Sequence, residues 1–153
     1  MRLLLDSGIL GRLCHPRKHL NDPVSIRLEE FIAAGVAERR VYIPAVTDYE
    51  LRRKLLHLIG KGQSTVQSLQ RLDQLSVRFD YLPVDLETWQ EAARLWSVAR
   101  SDGFSTSPPE ALDCDVILAA QAKLVSGTVV TTNQKHLERF VPTIDWTEIP
   151  RTP

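Results

Sequence analysis

Three consecutive leucines followed by an aspartate, Leu3-Leu4-Leu5-Asp6, are the feature that most restricts how this chain can fold. A short apolar run without polar alternation is typical of a strand buried on both faces, as in the middle of a parallel sheet. Asp6 stands where that strand ends. Because ligands of open α/β sheets bind outside the carboxyl ends of the strands, Asp6 is placed for chemistry.

Strands and helices alternate along the rest of the chain. Apolar segments at 41–43, 79–84, 129–131 and 144–149 predict four more strands, and helical periodicity fills the segments between them. This alternation favours a three-layer α/β/α fold around a mostly parallel central sheet of about five strands. The sequence contains no repeat, low-complexity tract or linker, so residues 1–153 are predicted to form a single domain.

Capping residues predict where several helices begin. The predicted caps are Asp22 ahead of Pro23, Thr47 or Asp48, Ser64, and Asp85. Trp89, Ala93 and Trp96 share one face of the helix that follows Asp85, and we interpret that face as core. The segment 101–110 is rich in Ser, Pro and Gly and is predicted to be a loop.

Composition excludes several classes of protein. The formal net charge is zero, so no overall field draws the chain to nucleic acid, although residues 1–62 are net basic and residues 63–153 net acidic. Cys14 and Cys114 form no CxxC motif, and Cys14-His15 with His19 lacks the four ligands of a zinc finger. Asp6 interrupts the first apolar run too early for a signal peptide, and no segment approaches a membrane span. A cytoplasmic protein without a membrane segment is therefore predicted.

Acidic and amide side chains are predicted to meet at one edge of the sheet. Asp6 follows the first strand, and Glu50 lies in the first turn of the helix after the second strand. Asn133 follows the fourth strand in Thr131-Thr132-Asn133. Because the carboxyl ends of parallel strands lie at the same edge, these three side chains should be neighbours.

Two further acids, Asp113 and Asp115, stand at the predicted start of another helix. Residues two apart on a helix do not share a face, so the two acids cannot have the same role. Asp115 lies in line with Ala119 and Ala122, small residues that let a helix pack closely on a sheet. We therefore predict that Asp115 points toward the strand ends and that Asp113 caps the helix.

Each acid taken alone has an ordinary structural interpretation, as a helix cap, a partner of the helix dipole or a partner of a nearby basic residue. Three acids at one edge are harder to explain in this way. Like charges about 4 Å apart repel by about 4 kcal/mol at an effective dielectric of 20. A fold that gathers Asp6, Glu50 and Asp115 therefore needs a cation, and oxygen ligands favour Mg²⁺ or Mn²⁺ over zinc.

The ordered set of these motifs resembles a PIN domain, and within that superfamily it is similar to the VapC-like toxin ribonucleases of prokaryotic type II toxin–antitoxin systems. The motifs are LLLDS at 3–7, IPAVTDYELRR at 43–53, DCDVILAA at 113–120 and VVTTN at 129–133. They span nearly the whole chain in the family's order. The resemblance implies a divalent-metal-dependent endoribonuclease that hydrolyses RNA phosphodiesters with metal-activated water, a cognate antitoxin protein as partner, and a homodimer.

Carried over residue by residue, the resemblance assigns Asp6, Glu50 and Asp115 to Mg²⁺ (or Mn²⁺) and gives Asp113 an auxiliary catalytic role. The fourth acidic position of many family members is here Asn133, which completes the predicted catalytic set. Its amide oxygen can coordinate a metal or orient water but adds no negative charge. We therefore predict one firmly bound ion, with a second arriving only together with the substrate phosphate.

Basic residues flank the acidic motifs in the sequence and are predicted to steer the RNA backbone. The set comprises Arg12, Arg52 and Arg53, with Arg17, Lys18 and Lys54 as further members. Two other functions fit the motifs less well. One is a PIN-like RNA- or protein-binding module without catalysis. The other is a small phosphohydrolase with Asp6 as nucleophile, but such sites usually have a second acid two residues on, where this chain has Gly8.

Overall fold

The computed structural model describes residues 1–103 and 108–151. The strands of the described chain are β1 (Arg2–Leu5), β2 (Arg40–Pro44), β3 (Asp80–Leu82), β4 (Thr128–Val130) and β5 (Thr143–Ile144). The α-helices of the same residues are α1 (Ser7–Cys14), α2 (Lys18–Ala33), α3 (Ala45–Gly60), α4 (Val66–Arg78), α5 (Leu86–Ser101), α6 (Pro109–Leu124) and α7 (Gln134–Leu137). A 3₁₀ helix, Trp146–Glu148, follows β5.

Within the described residues, the five strands form one sheet in the order β3-β2-β1-β4-β5, and every strand pair is parallel. The leucine strand β1 lies in the centre, with Leu4 opposite Tyr42 of β2 and Val129 of β4. The predicted parallel sheet of about five strands is therefore confirmed. Because all strands run the same way, the residues that follow them lie along a single edge.

The side chains of β1 divide the core into two layers. Leu3 and Leu5 belong to a cluster with helices α1 to α4, whereas Leu4 belongs to a cluster with α5 and α6. All three leucines are fully buried. Alternating side chains of one strand thus pack against helices on both faces of the sheet, which confirms the three-layer fold.

Three predicted helix starts are wrong. Helix α2 begins at Lys18, ahead of Asp22, and encloses Pro23. Helix α3 begins at Ala45 with Pro44 as its N-cap, so Thr47 lies inside the helix and donates its hydroxyl to the carbonyl of Pro44 at 2.9 Å. Helix α6 begins at Pro109. In each case the backbone already turns at an earlier residue, and the polar side chain expected to cap the helix becomes part of it.

The other two predicted helix caps, Ser64 and Asp85, lie within one residue of the observed caps. The carboxylate of Asp85 accepts a hydrogen bond from the backbone N–H of Thr88 at 2.8 Å, which confirms it as the cap of α5. Helix α4 begins after Thr65 rather than Ser64. The hydroxyl of Thr65 donates to the carbonyl of Leu55 at 2.7 Å, which ties the start of α4 to helix α3.

The tryptophan face of α5 is not core. Trp89 is 54% exposed and Trp96 37% exposed. The buried residues on α5 are instead Ala92, Leu95 and Ala99, which belong to the same core cluster as helix α6. Small side chains let two helices approach closely, and the larger tryptophans remain at the rim of that contact.

The last predicted strand is shorter than expected, because β5 covers only Thr143–Ile144 and a 3₁₀ helix takes up the following residues. Asp145 and Glu148 form a capping box there, which satisfies backbone N–H groups locally instead of by strand pairing. Residues 104–107 of the predicted loop lie outside the described residues. Among the residues that the structure describes, no helix is both long and apolar enough to cross a bilayer.

Candidate functional site

A pocket of about 350 Å³ lies at the carboxyl edge of β1 and β4, and we call it the acidic pocket. Four of the five predicted catalytic residues line it. Its lining consists of Asp6, Ser7, Gly8, Glu50, Ala111, Asp115, Leu118, Thr131, Thr132, Asn133, His136 and Leu137. The three carboxylates come from three different parts of the chain: the end of β1, helix α3 and helix α6. The tertiary fold therefore brings together what the sequence separates by more than 100 residues.

Asp6 is held at the junction of strand and helix. Its backbone N–H donates to the carbonyl of Val130 at 3.2 Å, and its carboxylate caps α1 by accepting from the N–H of Ile9 at 2.7 Å. Burial raises the pKa of Asp6, and hydrogen bonds from Thr131 and from the α1 backbone offset part of that effect. The side chain is thus fixed in place and still costly to ionise.

Glu50 and Asp115 complete the carboxylate set. Burial is the main cause that raises the pKa of Glu50, and the negative charge of Asp115 adds to it, whereas Arg53 opposes it. Burial also raises the pKa of Asp115, and His136 and Arg139 oppose this shift. The charge of Asp6 raises both pKa values. The three carboxylates therefore repel one another across the pocket.

Asn133 follows β4 and is exposed at the wall of the acidic pocket. Its backbone N–H donates to the hydroxyl of Thr131 at 3.0 Å. Asn133 is the N-cap residue of α7, but its side chain makes no capping hydrogen bond. The side-chain amide of Asn133 therefore does not bond to the helix backbone, as the side chain of an ordinary N-cap residue does.

Asp113 is the predicted site residue that the structure does not bring to the acidic pocket. It lines two cavities on the other side of α6, both of which also contact Trp89 of α5. The prediction that Asp113 caps the helix is wrong, because α6 begins four residues earlier, at Pro109. Asp113 and Asp115 differ by about 200° around the helix, which explains why only Asp115 faces the strand ends.

A larger cleft of about 870 Å³ adjoins the acidic pocket and shares Ser7, Gly8, Glu50 and Thr132 with it. We call it the basic cleft, because its lining includes Arg12, His15, Arg53 and Lys54. Apolar side chains of α1 and α3 also line this cleft. The combination offers positive charge along a path that leads to the carboxylates.

The arginines of the predicted steering set have different surroundings. Arg12 lies over the ring of Trp146 at 5.4 Å, and Arg53 over the ring of Tyr49 at 4.9 Å. Both also line the basic cleft. Arg52 is not among the residues that line this cleft, and it forms ion pairs with Asp48 of α3 and Asp73 of α4.

Sequence reasoning missed two residues near the carboxylates. His136 lines the acidic pocket from helix α7. Its position three residues after Asn133, on the helix that follows a strand end, is a signal that could have identified it. Cys114 is buried between Asp113 and Asp115, and burial and the charge of Glu50 raise the pKa of its thiol to about 11.

The residues of the acidic pocket fit a hard divalent cation by their chemistry. Carboxylate and amide oxygens are the ligands that Mg²⁺ and Mn²⁺ prefer, and a cation would relieve the repulsion that raises the pKa of Glu50 and Asp115. Among residues 1–103 and 108–151, however, no three His, Cys, Asp or Glu side chains are already arranged to hold a metal. Side-chain rotation would therefore have to complete a coordination shell.

This chain is thus a parallel α/β/α protein with a cluster of carboxylates at the carboxyl edge of its sheet. The PIN domain family model matches residues 3–141. The chain therefore belongs to the PIN domain family, whose members are nucleases. No curated protein sequence matches the chain significantly.

Solved structures with the same fold include toxin–antitoxin complexes. VapBC-1 from nontypeable Haemophilus influenzae aligns with a TM-score of 0.72 and 19% identity, covering 97% of this chain and 100% of that chain. FitAcB from Neisseria gonorrhoeae aligns with a TM-score of 0.67 and 24% identity, covering 95% and 99%. VapBC2 from Rickettsia felis, bound to a DNA fragment from its promoter, aligns with a TM-score of 0.70 and 15% identity over 95% and 99%.

Proposed function

We propose that this protein is a divalent-metal-dependent endoribonuclease and the toxin of a toxin–antitoxin pair. The observation that carries the proposal is the acidic pocket, which three carboxylates from three elements share. Burial raises the pKa of each, and neighbouring negative charge further raises those of Glu50 and Asp115. An arrangement that costs electrostatic energy at neutral pH is typical of a site whose cation is part of its function.

Asp6 and Asp115 would hold the ion, with Glu50 as a ligand directly or through water. Such an ion supplies Lewis-acid chemistry, lowering the pKa of water and neutralising phosphate charge. The chain's own groups fix the geometry. The α1 backbone and Thr131 orient Asp6, and Arg53 moderates the charge of Glu50. Asn133 offers a neutral oxygen at the pocket wall.

The basic cleft supports RNA as the substrate. Arg12, Arg53 and Lys54 line a path that leads to the acidic pocket, and cations in such a position attract a polyanionic backbone independently of its sequence. Trp146 and Tyr49 hold two of these arginines by ring contacts. Arg52 is already paired with two aspartates, so its contribution to RNA binding should be the smallest.

A cognate antitoxin is the proposed protein partner. The similar structures named above are complexes of VapB with VapC and of FitA with FitB, which supports this assignment by fold. A basic side chain of the antitoxin would pair with the carboxylates of the acidic pocket in place of the metal. Expression of the toxin alone should then arrest growth, and co-expression of the protein encoded beside it should relieve the arrest. The location would be the cytoplasm, where the RNA is.

A homodimer is also proposed, and the exposed tryptophans of α5 support it. Trp89, Trp96 and Ile117 line a cavity of about 380 Å³ that faces solvent in the single chain. Exposed tryptophans clustered with other apolar residues are typical of interfaces. Replacing Trp89 with Glu should turn a dimer into a monomer in light scattering. An unchanged mass would exclude this face as the interface.

The nuclease proposal is tested by incubating purified protein and single-stranded RNA with Mg²⁺, with Mn²⁺ or with EDTA. Cleavage in either metal, abolished by EDTA and by Asp115→Asn, is expected. Asp113→Asn is the matched control, since it removes the same charge from the same helix outside the pocket. Binding of RNA without cleavage in either metal would favour a non-catalytic module. Cleavage of small phosphate esters through a covalent Asp6 intermediate would favour the phosphohydrolase.

A further inference from the structure

We infer that His136 is a further catalytic residue, whose imidazole donates a hydrogen bond to the scissile phosphate in the acidic pocket. The inference rests on the proposed nuclease function and concerns the same pocket. His136 is the basic side chain in the described lining of the acidic pocket, whereas the other basic groups line the adjoining cleft.

The position of His136 is fixed by the helix that carries it. The next residue, Leu137, is buried in the core layer of α5 and α6, and its carbonyl accepts hydrogen bonds from the N–H groups of Phe140 at 2.8 Å and Val141 at 3.1 Å. At the other end of α7, Asn133 is tied to Thr131. The short helix is therefore anchored at both ends, and the exposed imidazole stands over the pocket between the anchors.

The negative charge of the acidic pocket explains why a hydrogen-bond donor such as His136 is needed there. Three carboxylates outweigh the charge of one divalent ion, so an entering phosphodiester meets a site that is still negative. A hydrogen-bond donor in the lining of the same pocket offsets this repulsion. A preorganised donor is worth most where negative charge develops during the reaction. His136 and Asp115 line the same pocket, so the imidazole lies in the cavity where the proposed ion and the phosphate would bind.

Asn133 and His136 together form one wall of the pocket, and their chemistry differs from that of the acids. Both can donate to an anion, whereas the carboxylates can only accept when ionised. The wall would therefore bind phosphate oxygens, and the acids would bind the cation. This division predicts that loss of His136 affects turnover more than metal affinity.

The test compares His136→Ala, His136→Gln and His57→Ala in the full-length chain. His57 is an exposed histidine on α3 and serves as the matched control. With a fluorescent single-stranded oligoribonucleotide in Mn²⁺, kcat of His136→Ala should fall about 10²-fold with little change in KM. His136→Gln keeps a donor and should recover much of the loss, and His57→Ala should equal the wild type.

Two further readouts separate the possible outcomes. Calorimetric titration of Mn²⁺ should give the same affinity for His136→Ala and wild type; a clear loss would make His136 a metal ligand and overturn the inference. Titration of the wild-type protein with dimethyl phosphate in Mg²⁺, followed by imidazole NMR signals, should shift His136 and not His57. An unshifted His136 signal, or unchanged kcat in His136→Ala, would overturn the inference. If the wild type cleaves no RNA, the proposed function fails, while the phosphate titration still decides the contact.

Discussion

Two acids on helix α3, only two residues apart, have opposite surroundings. Asp48 is 9% exposed and accepts hydrogen bonds from the Arg52 guanidinium at 3.1 Å and from the Tyr81 hydroxyl at 3.3 Å. Arg52 in turn pairs with Asp73 of α4 at 2.9 Å. Glu50 shares its pocket with two further carboxylates, and burial and the charge of Asp115 raise its pKa.

The contrast separates structure from function on a single helix. The network around Asp48 joins α3, α4 and β3, and Arg52 pairs with both of its aspartates. The carboxylates around Glu50 contribute repulsion to the folded state without a bound cation. The charge of Asp48 is paired within the protein, whereas the carboxylates around Glu50 repel one another, as is typical of a site that binds a ligand.

The largest expected effect is the loss of catalysis on neutralising the acidic pocket. Asp6→Asn, Glu50→Gln and Asp115→Asn should each lower the cleavage rate at least about 10³-fold, since each removes metal charge compensation worth several kcal/mol. Without metal, the melting temperature should stay unchanged or rise, because repulsion is removed. Full activity of Asp115→Asn in Mg²⁺ would show that the site is assigned incorrectly.

Substitution of Asp48, the paired acid, should lower stability and leave catalysis intact. Asp48→Ala removes two hydrogen bonds to a buried carboxylate and should cost about 2 kcal/mol of unfolding free energy in urea titrations. Arg52 keeps Asp73 as a partner, which limits the loss. Cleavage per folded molecule should remain near the wild-type level. A variant that stays as stable as the wild type would show that the network adds nothing.

The pH dependence of stability should distinguish the two regions further. The folded-state pKa values of Asp6, Glu50 and Asp115 are raised above their ordinary values of 3.8 for Asp and 4.5 for Glu. The folded state therefore holds these protons more tightly, so their contribution to stability is present below the ordinary values and is lost as pH rises through the raised ones. Thermal unfolding of metal-free wild type should lose stability relative to Asp115→Asn over that window. Parallel profiles of melting temperature against pH for the two proteins would contradict this prediction. Adding Mn²⁺ at neutral pH should restore the stability of the wild type.

The smallest effect is expected at Asn133. Asn133→Asp adds a fourth carboxylate to the wall of the acidic pocket and should tighten Mn²⁺ binding several-fold in calorimetry. A second ion could then bind in the free protein, whereas the wild type should bind one firmly. Two tight sites in the wild type would contradict the interpretation of Asn133.

The alternation of strands and helices was sufficient to predict the fold. The apolar run of β1, bounded by Asp6, fixed its place in the middle of the sheet, and the parallel order followed from the helices between strands. Asp6, Glu50, Asp115 and Asn133 could be predicted to meet because parallel strands end at one edge. Their roles in metal binding and catalysis stay predictions, as does the single domain over residues 1–153.

The first residue of each helix and the exposure of individual side chains were less predictable. Both depend on which of several neighbouring residues makes a given contact. Thr47 and Asp48 are good capping residues, yet Pro44 already turns the chain and both side chains find partners elsewhere. Trp89 and Trp96 have helical spacing, but the smaller residues of α5 pack against α6 instead. Local pattern cannot decide which of two adjacent faces a neighbouring helix will cover.

The sequence by itself determined the layers, the central strand and the edge at which acids gather, since side-chain periodicity and chain connectivity are local properties. Only the tertiary structure decided which acids are paired. Tyr81 reaches Asp48 from 33 residues away and Asp73 reaches Arg52 from 21 residues away, whereas Glu50 meets the repelling charges of Asp115 and Asp6. Desolvation and Coulomb energies depend on three-dimensional separation and burial, so adjacent carboxylates of similar chemistry acquire different roles.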